Sequence, residues 1–216
     1  MADHMKEMEK EIEEDRRQGI RRKLLLHACC APCSSGCLSA ICPHFHVSIY
    51  FFNPNISSLE EYERRYREEE RFLEILKENG EEGAEELSLT DPGYDHGEWL
   101  LAVKGLENEP ERGRRCEACF RMRLEKTFME AASKGYDCVT TTLTLSPLKD
   151  ANLINRIGTE LSEKYNVHWL PSDFKKRDGF LKSVRLSEKY GLYRQDFCGC
   201  EFSKRERNEK SDRIVE

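Results

Sequence analysis

Cysteine is the residue type in this chain that most directly suggests chemistry: there are ten, and nine fall into three groups. Cys29, Cys30, Cys33, Cys37 and Cys42 form the first, Cys116 and Cys119 the second, Cys198 and Cys200 the third, while Cys138 stands alone. At about 5% the content is below the roughly 8–10% of a disulfide scaffold, so the clusters read first as metal ligands or redox catalysts. Cys30-Ala-Pro-Cys33 alone resembles a thioredoxin-like pair. Cys29 complicates that reading. Neighbours in extended chain point to opposite sides, so Cys29 and Cys30 are expected to serve different partners. Cys116-Glu-Ala-Cys119 opens a predicted helix, where residues three apart share a face and the helix N-terminus favours thiolates. Arg114, Arg115 and Arg121 would lower those thiols further. In Cys198-Gly199-Cys200 the glycine permits a sharp bend, and the segment is expected to fold back over the sheet with its ligands. Cys37, Cys42 and Cys138 fall inside predicted elements and are expected to be core. The remaining seven thiols match one four-thiolate iron–sulfur cluster and one three-ligand open metal site. A structural zinc site with four cysteine ligands is the inorganic alternative, but it would leave three thiols unused.

The elements that must position these residues alternate. Strands are predicted at Lys23–His27, Val47–Phe52, Glu86–Leu89, Cys138–Leu143 and Val167–Leu170. Helices are predicted at Ser34–Cys42, Glu60–Asn79, His96–Lys104, Glu117–Ser133, Asp150–Tyr165 and Gly179–Tyr190. The pattern implies βαβ units: an α/β parallel sheet with helices on both faces. Ligands in such sheets sit beyond the carboxyl ends of the strands, at the topological switch point. The segments to watch are therefore His27–Cys33, Asn53–Ile56, Thr144–Lys149 and Pro171–Lys176. The first strand leads into neither GxGxxG nor GxxxxGK[ST], nor the Ser-Gly-Gly-x-Asp-Ser loop of ATP pyrophosphatases, so NAD or ATP is not expected as the main cofactor.

Composition limits the rest. The chain is 35% charged with net charge -6, and no apolar window approaches the length of a membrane span. The charged first residues carry no secretory h-region, so a reducing cytoplasm is the expected compartment. Ser57–Leu87 holds 12 acidic against 5 basic residues, and Phe174–Arg205 holds 9 basic against 4 acidic. Charge of that kind suits either solvated helix faces or a basic face for a polyanion. Residues 1–22 read as a charged extension outside the core, 23–206 as a single α/β metalloenzyme domain, and 207–216 as a charged tail. His27 is expected as a hydrogen-bonded core residue, His44 and His46 as turn residues, Met122 and Met129 as helix packing.

The segments Leu24–Cys33 (LLLHACCAPC), Tyr50–Ile56 (YFFNPNI), Arg114–Glu125 (RRCEACFRMRLE), Thr140–Lys149 (TTTLTLSPLK), Leu170–Lys176 (LPSDFKK) and Tyr190–Ser203 (YGLYRQDFCGCEFS) resemble, in order, those of QueH-type epoxyqueuosine reductases. The resemblance implies a Rossmann-like domain of the adenine nucleotide alpha hydrolase-like kind. It also implies a 4Fe–4S cluster beside a second, separately held metal, iron, and reduction of the epoxide of epoxyqueuosine in tRNA to give queuosine. The metal would act as Lewis acid on the epoxide oxygen. An external electron donor such as a ferredoxin or flavodoxin follows from the two-electron chemistry. On this basis Cys30, Cys116, Cys119 and one of Cys198 and Cys200 are assigned to the cluster; Cys29, Cys33 and the other go to the second metal. Where members of the family carry a carboxylate in place of Cys33, this chain's second site is richer in thiolate. Tyr193, Asp196, Asp173 and His27 are candidate proton donors. Asn53 and Asn55 could contact the nucleobase or simply make the turn. Arg114, Arg115, Lys149, Lys175, Lys176, Arg177 and Arg194 are candidate phosphate contacts. A thiol–disulfide oxidoreductase using Cys30 and Cys33, and a zinc-stabilised RNA-binding module, are the competing readings.

Overall fold

A computed structural model describes residues 3–207; the charged tail falls outside the described residues from position 208. Five parallel strands form one sheet in the order β3-β2-β1-β4-β5: β1 (Lys23–His27), β2 (His46–Tyr50), β3 (Ser88–Thr90), β4 (Cys138–Thr141) and β5 (His168–Trp169). After an N-terminal α1 (His4–Gln18), the strands are joined through α2 (Ala31–Ile41), α3 (Leu59–Glu78), α4 (His96–Ala102), α5 (Arg114–Lys134) and α6 (Ala151–Tyr165), and α7 (Gly179–Tyr190) follows β5. The central strand reads as an unbroken apolar run because both its faces are covered. Leu24 and Leu26 pack toward α2 and α3, with Leu38, Phe72 and Leu73; Leu25 packs toward α5 and α6, with Leu124, Phe128 and Ile157. From β1 the chain runs outward to β2 and β3 on one side, then crosses back to β4 and β5 on the other. This makes the carboxyl ends of β1 and β4 the switch point. Cys37, Cys42 and Cys138 are buried in the core, as expected.

Two expectations are corrected. Residues 3–22 are not an overhang outside the core. Met5 and Met8 of α1 are buried in it, because the two apolar side chains lie one turn apart on an otherwise charged helix. Asp3 and Glu9 pair with Lys176 and Arg177 at 3.0 Å, and Glu11 accepts from His168 at 2.7 Å. The strand expected to run to Leu143 ends at Thr141. The chain then tightens into a 3₁₀ turn, Thr142–Leu145, capped by the Thr141 hydroxyl. Among the described residues no helix is long and apolar enough to cross a membrane.

Candidate metal centre and active-site cavity

The first thiol group is built by one sharp turn. β1 ends at His27, whose buried ring lies 2.8 Å from Thr141 Oγ1 through Nδ1 and donates through Nε2 to the Phe52 carbonyl at 3.1 Å. Burial drives this imidazole down to about 3, so it is a neutral wedge between strands and not a proton donor. The backbone bends at Cys29, whose N–H donates to Thr142 Oγ1 at 3.2 Å; the Thr142 hydroxyl donates in turn to Cys29 Sγ at 3.4 Å. Cys30 precedes α2, which opens on Ala31-Pro32, and the Cys33 N–H returns to the Cys30 carbonyl at 3.0 Å. The sulfurs of Cys29, Cys30 and Cys33 consequently all lie within 4.8 Å of one another, with Cys29 and Cys30 3.8 Å apart. The expectation that Cys29 and Cys30 point to different partners is corrected: the bend at Cys29 replaces the extended geometry on which it rested.

The second group is assembled from distant segments. Cys116 and Cys119 lie in the first turns of α5, and Cys116 Sγ accepts the Arg112 N–H at 3.3 Å. The buried Arg115 guanidinium holds the Glu107 and Glu109 carbonyls and Glu206 (3.0 Å), tying the start of α5 to helical residues 201–207. The Cys198 carbonyl accepts from Arg65 at 3.3 Å and Asn55 at 3.4 Å, and the Gly199 carbonyl accepts the Ser57 N–H at 3.0 Å. Gly199 has φ 121, and a Cβ there would come within 3.0 Å of Ile56. Only glycine meets both conditions without strain. Cys198 and Cys200 thus lie with their sulfurs 3.8 Å apart. The C-terminal segment folds over the sheet as expected.

Two adjoining cavities share this ground. Cys116, Cys119, Cys198 and Cys200 line a narrow one of about 30 Å³, together with Trp99 and Arg123. Cys29, Cys30, Cys33 and again Cys198 line a wider one of about 400 Å³, with Arg65, Phe180, Arg194, Gln195 and Asp196. Cys198, Arg123 and Lys149 border both. None of the ten cysteines is in a disulfide. In each group one thiol is held below its usual range. Hydrogen bonds from Cys30 and Cys33 hold Cys29 well below the usual thiol range, helped by Lys149 and Arg123. The hydrogen bond it shares with Cys200, with the same two cations, does this for Cys198. The partners keep their protons: Cys30 is pushed up to about 12 by Cys29, and burial lifts Cys116 to about 11. Burial pushes the half-buried Lys149 ammonium down, but Cys29, Cys33 and Cys198 outweigh it and keep it charged. Two thiols held low beside two cations, with further thiols next to each, can take a thiophilic metal once their protons leave. The buried Trp99 and Arg123 side chains donate toward Cys119 on the narrow side, where an anionic sulfide-bearing group would meet the same donors.

The other candidates divide. Lys149, Arg194 and Asp196 line the wide cavity, Asp196 in an exposed pair with Arg207 at 2.8 Å. Asn53 and Asn55 do not face either cavity and are corrected to positioning roles. Asn53 Nδ2 donates to the Ala28 carbonyl at 2.9 Å and its oxygen accepts from Arg123, while Asn55 anchors Cys198. Tyr193 lies outside both cavities with its hydroxyl on Glu61 at 3.1 Å and its ring under Arg64. Asp173 is buried against Lys175 at 2.5 Å, and Lys176 and Arg177 are engaged by α1. Arg115 is an internal clamp; Arg114 is exposed at the start of α5. Thr142, Arg123, Arg65 and Gln195 were not singled out from sequence. Thr142, Arg123 and Gln195 carry a signal in that they lie within the segments of family resemblance, close to cysteines or strand ends; Arg65 has neither.

A family model described as epoxyqueuosine reductase QueH matches residues 24–206. The chain is 42% identical over 200 residues to the epoxyqueuosine reductase QueH of Staphylococcus epidermidis, covering 92% of this chain and 83% of that protein. To the protein of the same name from Thermotoga maritima it is 38% identical over 197 residues, covering 88% and 95%. To that of Haemophilus influenzae it is 40% identical over 189 residues, covering 86% and 73%. With the match running through every segment that builds the thiol wall, the chain belongs to the epoxyqueuosine reductase QueH family.

Proposed function

We propose that this chain reduces epoxyqueuosine in tRNA to queuosine by two-electron deoxygenation of the epoxide, at a thiol-held iron centre. The convergence of seven thiols on two adjoining cavities that share Cys198, the wider of about 400 Å³, carries this reading, together with the activity for which the family is named. Two electrons and two protons enter, both C–O bonds of the epoxide break, an alkene forms and the oxygen leaves as water. The electrons come from outside the chain, from a carrier such as a ferredoxin or flavodoxin. The reaction belongs in the cytoplasm, where tRNA is found.

The thiol grouping favours a division different from the one expected. Cys116, Cys119, Cys198 and Cys200 would hold the 4Fe–4S cluster, and Cys29, Cys30 and Cys33 the second metal, iron. When bound, these groups supply one-electron steps and Lewis acidity toward the epoxide oxygen. The chain does the rest. Lys149 stands between the two thiol groups with a charged ammonium and is placed to give a proton from Nζ to the departing oxygen. Arg194 is held by the Ser183 carbonyl at 3.3 Å and Ser187 Oγ at 3.2 Å, at the rim where a phosphate of a splayed anticodon loop would pass. Trp99 and the apolar wall keep water from the narrow cavity.

Anaerobically purified protein is the test. Iron and acid-labile sulfide should be present, the visible spectrum should carry sulfur-to-iron bands, and a reduced carrier should convert epoxyqueuosine to queuosine in tRNA. Binding of tRNA should weaken steeply with salt. A colourless zinc protein, or a metal-free one whose Cys30 and Cys33 cycle between dithiol and disulfide, would overturn the proposal.

A further inference from the structure

Gln195 has one half of its amide engaged and the other half free. Its Nε2 donates to Cys30 Sγ at 2.8 Å, while its Oε1 is buried without a hydrogen-bond partner. The residue lines the wide cavity beside Cys30, Lys149 and Arg194. Its position is imposed by its neighbours. The Tyr193 N–H is held by Glu68 at 2.7 Å, Arg194 by α7, and the Phe197 ring lies between Arg65 (5.2 Å) and Lys204 (5.7 Å). These contacts fix the chain on either side of Gln195 and hold the residue at the cavity wall. A buried acceptor left unpaired is costly and uncommon, and at a cavity wall it marks where a donor arrives.

We infer that Gln195 joins substrate to metal centre: its N–H supports the Cys30 sulfur, and its carbonyl accepts a hydrogen bond from a hydroxyl or ammonium donor borne by the substrate beside the epoxide. The inference rests on the reductase reading above and names a specificity-determining residue within it. A hydrogen bond donated to a ligating sulfur stabilises the reduced, more negative state and raises the reduction potential. A substrate that draws on the same amide through its oxygen polarises that N–H further, so its arrival favours electron uptake. The free carbonyl also separates epoxyqueuosine from an unmodified guanine at the same position, which brings no such donor.

The test uses the full-length holoenzyme, prepared anaerobically, with Gln195→Met and Gln195→Glu. Methionine fills the same length with neither donor nor acceptor; glutamate keeps the acceptor and loses the donor. Three quantities are read: iron and sulfide content, the midpoint potential followed in the visible band, and KM and kcat on an anticodon stem-loop RNA carrying epoxyqueuosine. Gln195→Met should keep its metal, move to a more negative potential and raise KM roughly tenfold, the worth of one well-placed hydrogen bond. Its binding of the unmodified stem-loop should be unchanged. Gln195→Glu should also move to a more negative potential yet keep a KM near that of the wild type. A Gln195→Met protein with wild-type potential or wild-type KM overturns the inference. Should that variant not retain metal, a Gln195→Glu protein with a raised KM or an unmoved potential overturns it. Wild-type protein that holds iron and converts the RNA leaves the reductase reading standing in either case; wild-type protein that does neither overturns that reading first.

Discussion

The two thiol groups are made in opposite ways. Cys29, Cys30 and Cys33 lie within five residues, and one bend plus the first turn of α2 brings their sulfurs together. Cys116, Cys119, Cys198 and Cys200 come from two segments far apart in the chain. Their meeting depends on the Arg115–Glu206 clamp, on the Arg65 and Asn55 anchors, and on a glycine that lets the backbone turn against Ile56. The local group inherits its geometry from the strand-to-helix connection. The assembled one stands only as long as the C-terminal segment is docked. One protein thus uses a short-range device and a long-range one for the same chemistry, and the two should fail differently.

The largest expected effects come from the thiols themselves. Cys29→Ala should lose one iron and keep acid-labile sulfide, whereas Cys116→Ala should lose the sulfide; both should abolish turnover. Iron and sulfide analysis checks this, and sulfide loss in Cys29→Ala alone would break the division between the groups. Next is Glu69, a buried carboxyl of α3 behind α2, with the Ser34 hydroxyl beside it. Burial pushes it up to about 8. An unfolded chain releases this proton near pH 4.5, while the folded protein keeps it until about 8, so folding stability should fall as pH rises across that window and then level. Glu69→Gln should remove that slope, which urea titrations at pH 5 and pH 8 would read. The local group should keep its iron in that variant.

Gly199→Ala should be milder, costing about 1–3 kcal/mol through a strained backbone. Its signature is a preferential loss of sulfide, since it loosens only the assembled group. The same loss from both groups would say that they are not separable. Smallest is Arg177→Ala. Its exposed ion pair with Glu9 should contribute little to stability, with iron content unchanged; a melting curve suffices.

Much of this was legible in the residues. β1 reads directly from a continuous apolar run bounded by charge and cysteine, and α7 from its helical spacing between Asp178 and Gly191. The nine clustered cysteines marked the site, and the strand–helix alternation placed Cys29–Cys33 at the carboxyl end of the central strand. What misled was local geometry taken as ideal. Extended chain would have sent Cys29 and Cys30 apart, but the bend is made by Thr142, a residue of another strand's turn. The N-terminal helix looked solvated because only Met5 and Met8, with part of Ile12, face the core. Asn53 and Asn55 looked outward from a turn and instead hold the turn and Cys198 in place.

Residue type and spacing alone determine that this chain folds as alternating strands and helices and carries thiols enough for two metal centres, because periodicity and side-chain chemistry are properties of short stretches. Which sulfurs face one another, which cations sit between them, and that Arg65 of α3 holds the loop carrying Cys198 were decided only when the strands paired. Those distances are set by how helices rest on the sheet, and the pairwise energies that choose them join residues more than a hundred positions apart.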